Sequence, residues 1–428
     1  MRRLSPFLLA GALAAAGLAR AAAAEDLLGV YADARAADPQ LAVSHAQAGV
    51  QQELAVQARA NLLPQWSAAA TQARNQPGSN DFAEVSSTLS QPIFDLGRMR
   101  QWDAAKTLVS AQDAAVRAAE QDLCERVARA YFGVLSAQAA LVTAEANAGA
   151  LARQVAQAQD RMKAGLSAAV DVEQARTFQA LADGGLEQAR QALADAREAL
   201  AQITGHAPGE LAPLAAEVAA VPPAPRDADA WIARALDANP ALQAQRLIVN
   251  SSEQSIAAAR AGHLPTLNLG VISQRQHGWN ATDPGRTDTQ IGVTLNIPIF
   301  AGGAVQSQVR QAAYQRDIAA DQAETARRAL VHEVQAEYRA VESGIKLIET
   351  GRVAVQAADA AVAATRAGFQ LGTRTMTDLL LAIQNQAAAQ NAYEQARHGY
   401  VLATLLLQGA AGGLDVDALA QANALLKK

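Results

Sequence analysis

Hydrophobic and polar positions along this 428-residue chain change period in a fixed order, and they do so twice. Residues 40–62 and 241–262 carry helical spacing, and each stretch is closed by Leu-Pro, at Leu63-Pro64 and Leu264-Pro265. The period then drops to two. Leu267, Leu269 and Val271 alternate with Thr266, Asn268 and Gly270, while Ile291, Val293, Leu295, Ile297 and Ile299 alternate with Gly292, Thr294 and Asn296. A polar turn region from 276 to 288, holding Gly278, Pro284 and Gly285, separates the two runs, which is a hairpin signature. The first hairpin is weaker: Trp66, Ala68 and Ala70 face a strand over 85–93 around Pro77-Gly78-Ser79-Asn80. Such alternation suits a membrane-barrel strand and a half-buried soluble sheet equally well.

Each hairpin is followed by a very long helical stretch. No proline interrupts residues 98–160, a run that at ~1.5 Å per residue extends on the order of 90 Å. Trp102, Val109, Val116 and Leu123 recur every seven residues, and Val127, Val134 and Leu141 continue at the same interval. Strict sevens predict coiled-coil packing. The second copy repeats this over about 304–366. The long helices are expected to end at Gly165 and Gly372, with shorter helices returning over 169–203 and 376–408.

The two copies align residue by residue. Asp38-Pro39 answers to Asn239-Pro240 and Ala58-Arg59-Ala60 to Ala259-Arg260-Ala261, both 201 residues on. Pro92-Ile93-Phe94 and Gly97 return 206 residues later as Pro298-Ile299-Phe300 and Gly303. Tyr131, Gly165 and Asp171 return as Tyr338, Gly372 and Asp378, 207 residues on. The order never breaks, so the chain is a duplicated unit. Its expected domains are a first repeat over 25–205, a proline-rich linker over 206–235, a second repeat over 236–408 and a tail over 409–428.

Residues 1–24 read as a removable export signal: Arg2 and Arg3, an apolar stretch over 6–19, and a small-residue site at Ala22-Ala23-Ala24. The apolar run falls short of the ~20 residues a membrane anchor needs. No cysteine follows the signal, so no lipidated amino terminus is expected, and the one cysteine, Cys124, lies in a helical stretch and forms no disulfide framework. Half the residues are hydrophobic but only 4% are aromatic, and alanine supplies much of the difference. Alanine-rich helices form readily but bury little area each, so many must lie side by side. No later run has 18 apolar residues, so any membrane-spanning part is expected to be a barrel. Chemistry is absent from the pattern. Histidines 45, 206, 263, 277, 332 and 398 show no metal-ligand spacing, and there is no nucleophile elbow, phosphate loop or CxxC. No enzyme activity, cofactor or metal is expected. With 36 Lys and Arg against 41 Asp and Glu, and no basic patch interleaved with aromatics, nucleic acid is not an expected partner.

With these elements in order, the chain resembles the TolC family of outer-membrane export channels over nearly all of 25–413. The resemblance is carried by Gln91-Pro92-Ile93-Phe94-Asp95, Ala130-Tyr131-Phe132-Gly133-Val134-Leu135, Gln202-Ile203-Thr204-Gly205 and Gly372-Thr373-Arg374-Thr375 with Asp378. It implies a mixed α/β membrane protein and a homotrimer, each protomer giving four strands to one twelve-stranded outer-membrane β-barrel. A coiled-coil tunnel would continue the barrel into the periplasm. The implied function is a passive exit duct for type I protein secretion or small-molecule efflux, working with a periplasmic adaptor and an inner-membrane transporter. The exported substrate and the identity of that transporter stay open. At the tunnel tip, Asp378 matches an acidic constriction ring, where three like charges would raise the pKa of at least one. Leu381 stands where a second acid is expected. Arg374 matches a latch arginine with Asp171 as its acidic partner, and Phe369 replaces a common latch tyrosine. Gly165, Leu166, Ser167, Gly372 and Thr373 form the tips that would meet the adaptor. The alternative is a periplasmic coiled-coil adaptor or structural protein.

Overall fold

The structure, a computed structural model, describes residues 24–73, 82–278 and 285–427. The expected export signal, Ala24 apart, lies outside these residues, as do Pro77-Gly78-Ser79-Asn80 and Pro284. The first repeat contributes α1 (Leu27–Ala37), α2 (Pro39–Ala60), β1 (Gln65–Ala73), β2 (Phe82–Phe94), α3 (Leu96–Lys163) and α4 (Ala169–Thr204). α5 (Ala228–Ala238) falls mostly in the expected linker, and the second repeat contributes α6 (Pro240–Arg260), β3 (Thr266–Gly278), β4 (Arg286–Asn296), α7 (Ala304–Gln370) and α8 (Met376–Ala410), followed by α9 (Val416–Asn423). The long helices run a little past their expected ends, to 68 and 67 residues. The spacing pattern did not predict α1, α5 or α9. Their 11, 11 and 8 residues are too few for a period to declare itself.

One compact unit comprises Gln40–Ala119 and Leu236–Val331 and holds the sheet. Its four strands lie in the order β1-β2-β3-β4, antiparallel throughout. The register pairs Trp66 with Leu89, Leu89 with Val271 and Val271 with Ile291, and a bulge at Pro92/Phe94 bends β2 near its end. β3 and β4 reach into the region expected to turn, as far as the pair Gln276–Arg286. Polar residues there are no obstacle, because a strand is held by its ladder hydrogen bonds whichever face is wet. Conversely β4 stops at Asn296, so Ile297 and Ile299 lie beyond it.

α3 starts on a side-chain cap, the Arg98 amide donating to Asp95 Oδ1 at 3.0 Å. The Arg98 guanidinium pairs with Asp95 at 3.1 Å and donates to the Asn61 carbonyl at 2.8 Å, tying β2, α3 and the end of α2 together. The second copy has no such cap and enters α7 through Gly302 and Gly303, at φ 61° and 84°, which a side chain would strain. Within this unit the heptad residues Trp102, Val109 and Val116 are only half-buried. The deeper seam is alanine: Ala104, Ala111 and Ala114 are buried, and Ser251 of α6 donates to the Ala104 carbonyl at 3.0 Å. Small residues allow that approach.

The rest of the described chain forms the second unit. Asp26 caps α1, and Asp38 at its other end is almost fully buried against Arg126 of α3 at 2.6 Å. Tyr131 is buried and donates to the Ala212 carbonyl at 2.9 Å. The proline-rich segment is therefore a strap, not a loose connection. Leu211 bridges to Glu25 and Leu214 to Leu426, while Val221 exchanges two hydrogen bonds with the Tyr400 hydroxyl, at 2.8 and 2.9 Å. The tail is fixed too, since Asn423 of α9 bonds Asp26 and the Leu27 amide. α7 and α8 approach closely at two places seven residues apart. A methyl on Gly344 would lie 3.2 Å from Tyr400 Cβ, and one on Gly351 the same distance from the Tyr393 ring. One expectation needs correcting: α3 does contain an 18-residue stretch apolar enough, by length and composition, to cross a membrane. A packed core helix meets the same test, and Leu123, Val127, Tyr131, Phe132 and Leu135 of α3 are buried within this unit.

Candidate functional site

Register decides what alternation left open, because directly opposed residues in an antiparallel pair share a face. One face of the sheet gathers Trp66, Leu89, Leu269, Val271, Ile291 and Val293. The other gathers Ser67, Thr88, Asn268, Gln274, Asp288 and Thr294. Trp66, Leu89, Ile291 and Val293 lie open within the chain, Ile291 at 71%, and Leu269 and Val271 are half-buried. β1 and β4 each have one unpaired edge among the described residues. Such a sheet has an oily side, a wet side and two unsatisfied rims.

The second candidate region is the helical tip. α3 and α7 end alike: Gly165 and Gly372 sit in the left-handed region at φ 71° and 78°, and the next amide reaches back five residues. Leu166 donates to the Arg161 carbonyl at 2.8 Å and Thr373 to the Gly368 carbonyl at 2.9 Å. Leu166 is exposed, whereas Ser167 turns inward on its own loop and donates to Asp171 Oδ2 at 2.5 Å. The Ala168 amide donates to the same oxygen at 3.3 Å. In the other turn Thr375 caps α8: its hydroxyl accepts from the Asp378 amide at 3.1 Å, and its own amide donates to Asp378 Oδ2 at 3.0 Å. Those bonds hold the Asp378 carboxyl below its ordinary range, with a smaller contribution from Arg374. In the single chain the shift is thus opposite to the one expected from a ring of like charges.

Beneath both turns lies one core. Leu151, Val155 and Ala158 of α3 meet Val172 and Ala175 of α4, Val362 and Phe369 of α7, and Met376, Leu379, Leu380 and Ile383 of α8. Phe369 is part of this core, with the Arg161 guanidinium 4.9 Å above its ring. Thr377 donates to Gln174 Oε1 at 2.7 Å, linking α8 to α4. Neither Arg161 nor the Thr377–Gln174 bond was foreseen, since each joins side chains from different repeats. Arg374 lies over Gly368, where an added methyl would come within 2.7 Å of its Cγ. Arg374 and Asp171 are not paired within the chain; Asp171 is occupied by its own turn. Leu381 lies one helical turn past Asp378 and is 44% exposed. Among the described residues no group of three or more His, Cys, Asp or Glu is placed to hold a metal ion.

Known proteins share this arrangement. The family model described as "Outer membrane efflux protein" matches residues 30–206 and 231–413, two segments that each overlap one copy of the duplicated unit. Outer membrane protein TolC of Vibrio cholerae is 33% identical over 441 residues, spanning 100% of this chain and 99% of that protein. The alkaline protease secretion protein AprF of Pseudomonas aeruginosa is 29% identical, with 78% of this chain and 71% of that one covered. Among solved structures, the outer membrane protein VceC of Vibrio cholerae superposes with a TM-score of 0.78 at 21% identity, over 91% of this chain and 97% of that one. At that identity the superposition speaks for the fold alone. The duplicated unit, the two-faced sheet, the glycine-ended tips and a match through both repeats together place the chain in the outer membrane efflux protein family, a family of outer-membrane transport channels.

Proposed function

We propose that three copies of this chain form one passive exit duct in the outer membrane. The observation that carries the reading is the four-stranded sheet with an apolar face, a polar face and two open edges. An open edge inside a bilayer leaves backbone groups without partners, at several kcal/mol each, so spanning sheets must close. Three copies of four strands supply twelve, with the apolar face to lipid and the polar face to a water-filled interior. The helices then form a periplasmic extension gated at its tip. Asp378 and Leu381 line the constriction, and Arg374 and Asp171, both at the tip turns, latch it; Phe369 supports the latch from the core.

The turns at Gly165, Leu166, Ser167, Gly372 and Thr373 are proposed to meet a periplasmic adaptor, which couples the duct to an inner-membrane transporter. The name of the Pseudomonas aeruginosa relative supports protein export as one use of the duct, with substrate choice resting on the transporter. Nothing in the structure favours the adaptor alternative, which family membership sets aside.

The test is single-channel current from the purified protein in a planar bilayer, with and without Asp378→Asn. Cation-preferring current that loses its preference on substitution supports the duct and its acidic ring. Absence of current from folded, detergent-extracted protein would overturn the reading.

A further inference from the structure

α8 sorts its first three turns by face. Met376, Leu379, Leu380 and Ile383 enter the tip core, while Asp378, Leu381, Asn385 and Ala388, spaced three and four residues apart, make one stripe outside it. Leu381 is the large apolar member of that stripe, directly along the helix from Asp378. The duplicated half treats the same place differently. The residue 207 positions earlier is Gln174, and its side-chain oxygen is taken by the Thr377 hydroxyl at 2.7 Å. α4 thus spends the position on a tie within the chain, and α8 leaves its own free.

A lone exposed leucine needs no explanation in a monomer. In the trimer proposed above, where Asp378 lines the constriction, whatever stands beside it on the free stripe would be brought together three times at the axis. Resting on the trimeric reading above, we propose that Leu381 is a water-excluding barrier: its three copies form an apolar ring that blocks the closed duct by dewetting. Asp378 acts differently, by concentrating cations at the mouth. Block and charge preference therefore belong to separate residues one turn apart. The closed state resists ion flow without any need for a bound cation.

The experiment measures single-channel current and cation-over-anion preference in potassium chloride for the purified full-length protein and for Leu381→Ser, Leu381→Gln, Asp378→Asn and Leu181→Ser. Particle mass in detergent is determined for each. Leu381→Gln matters because glutamine already occupies the equivalent place in the first repeat, which guards against a variant that fails to assemble. Leu181→Ser changes a leucine of α4 that is 66% exposed and lies away from the tip turns. The expected result is a several-fold rise in closed-state current for both Leu381 variants with ion preference unchanged, loss of preference without that rise for Asp378→Asn, and wild-type behaviour for Leu181→Ser. Wild-type current from an assembled Leu381→Gln overturns the barrier, and so does a Leu381 variant that shifts ion preference as Asp378→Asn does. If the unsubstituted protein passes no current at all, the duct itself fails, and the barrier with it.

Discussion

Glu125 of α3 carries a carboxyl that burial, and then Glu333, push up to about 7 from an ordinary 4.5. Folding therefore holds a proton on it between those values, where the unfolded chain has released one. Its stabilising contribution is complete below pH 4.5 and is lost as pH rises through 7. His398 of α8 runs the other way: burial lowers it from 6.5 to about 4, so its contribution is present above 6.5 and lost as pH falls through 4. Between 4.5 and 6.5 the two oppose each other, and above 6.5 Glu125 acts without that counterweight. Glu337, also raised by burial, adds in the same direction as Glu125. Glu125→Gln should hold the thermal midpoint of the solubilised protein increasingly above that of the unsubstituted protein as pH rises from 4.5 to about 7, and leave it almost unchanged below 4.5. An unchanged slope in the variant would assign the effect to other groups.

At the scale of elements, two glycines that look alike in the sequence serve different ends. Gly372 is left-handed, and nothing beyond its chain neighbours lies within 4 Å of where its Cβ would be; Gly344 has ordinary φ, with Tyr400 3.2 Å from that point. Gly372→Ala should cost about 1 kcal/mol through backbone strain alone, and Gly372→Asn less, because asparagine tolerates that region. Gly344 reverses the order, since its cost is steric and grows with side-chain size. Thermal unfolding of the four variants decides it, and an asparagine at 372 as damaging as alanine would refute the conformational account. The same contrast shows what the sequence disclosed. The tip turns were legible because a glycine closing a long proline-free run is a local signal. The two helix pairs were legible because their heptads are many. The alanine seam at 104 and 111 was not, because alanine has no contrast against an alanine-rich background. Nor were α1, α5 and α9, which are too short to show a period. The latch that the resemblance implies remains a proposal: within the chain Ser167 and the Ala168 amide take the Asp171 carboxylate, which no spacing announces.

For the whole molecule, the place of Arg374 in the proposed latch matters most. It makes no ion pair with Asp171 in its own chain, so in the proposed trimer a closing contact would be made with a neighbouring copy or at a turn rearranged by assembly. Arg374→Ser should then raise the basal leak of the purified protein while leaving the thermal midpoint of the fold nearly unchanged, as expected for an exposed charge. Closed-state current together with thermal unfolding checks this; unaltered current would remove Arg374 from the latch.

The two rims of the sheet are not equivalent, and that inequality sets how copies can join. On the oily face β1 presents Trp66, Ala68 and Ala70, whereas β4 presents Ile291, Val293 and Leu295. Pairing β4 with β4, or β1 with β1, in antiparallel fashion would keep the oily faces together only by turning one copy upside down. A chain whose long helices must all leave the same side of a bilayer forbids that. Only the β4-to-β1 join preserves direction. It repeats head to tail and leaves a fresh rim of each kind until the last copy meets the first. In the proposed trimer every boundary is therefore the same β4-to-β1 join, and the order of strands round the ring is set by a single protomer.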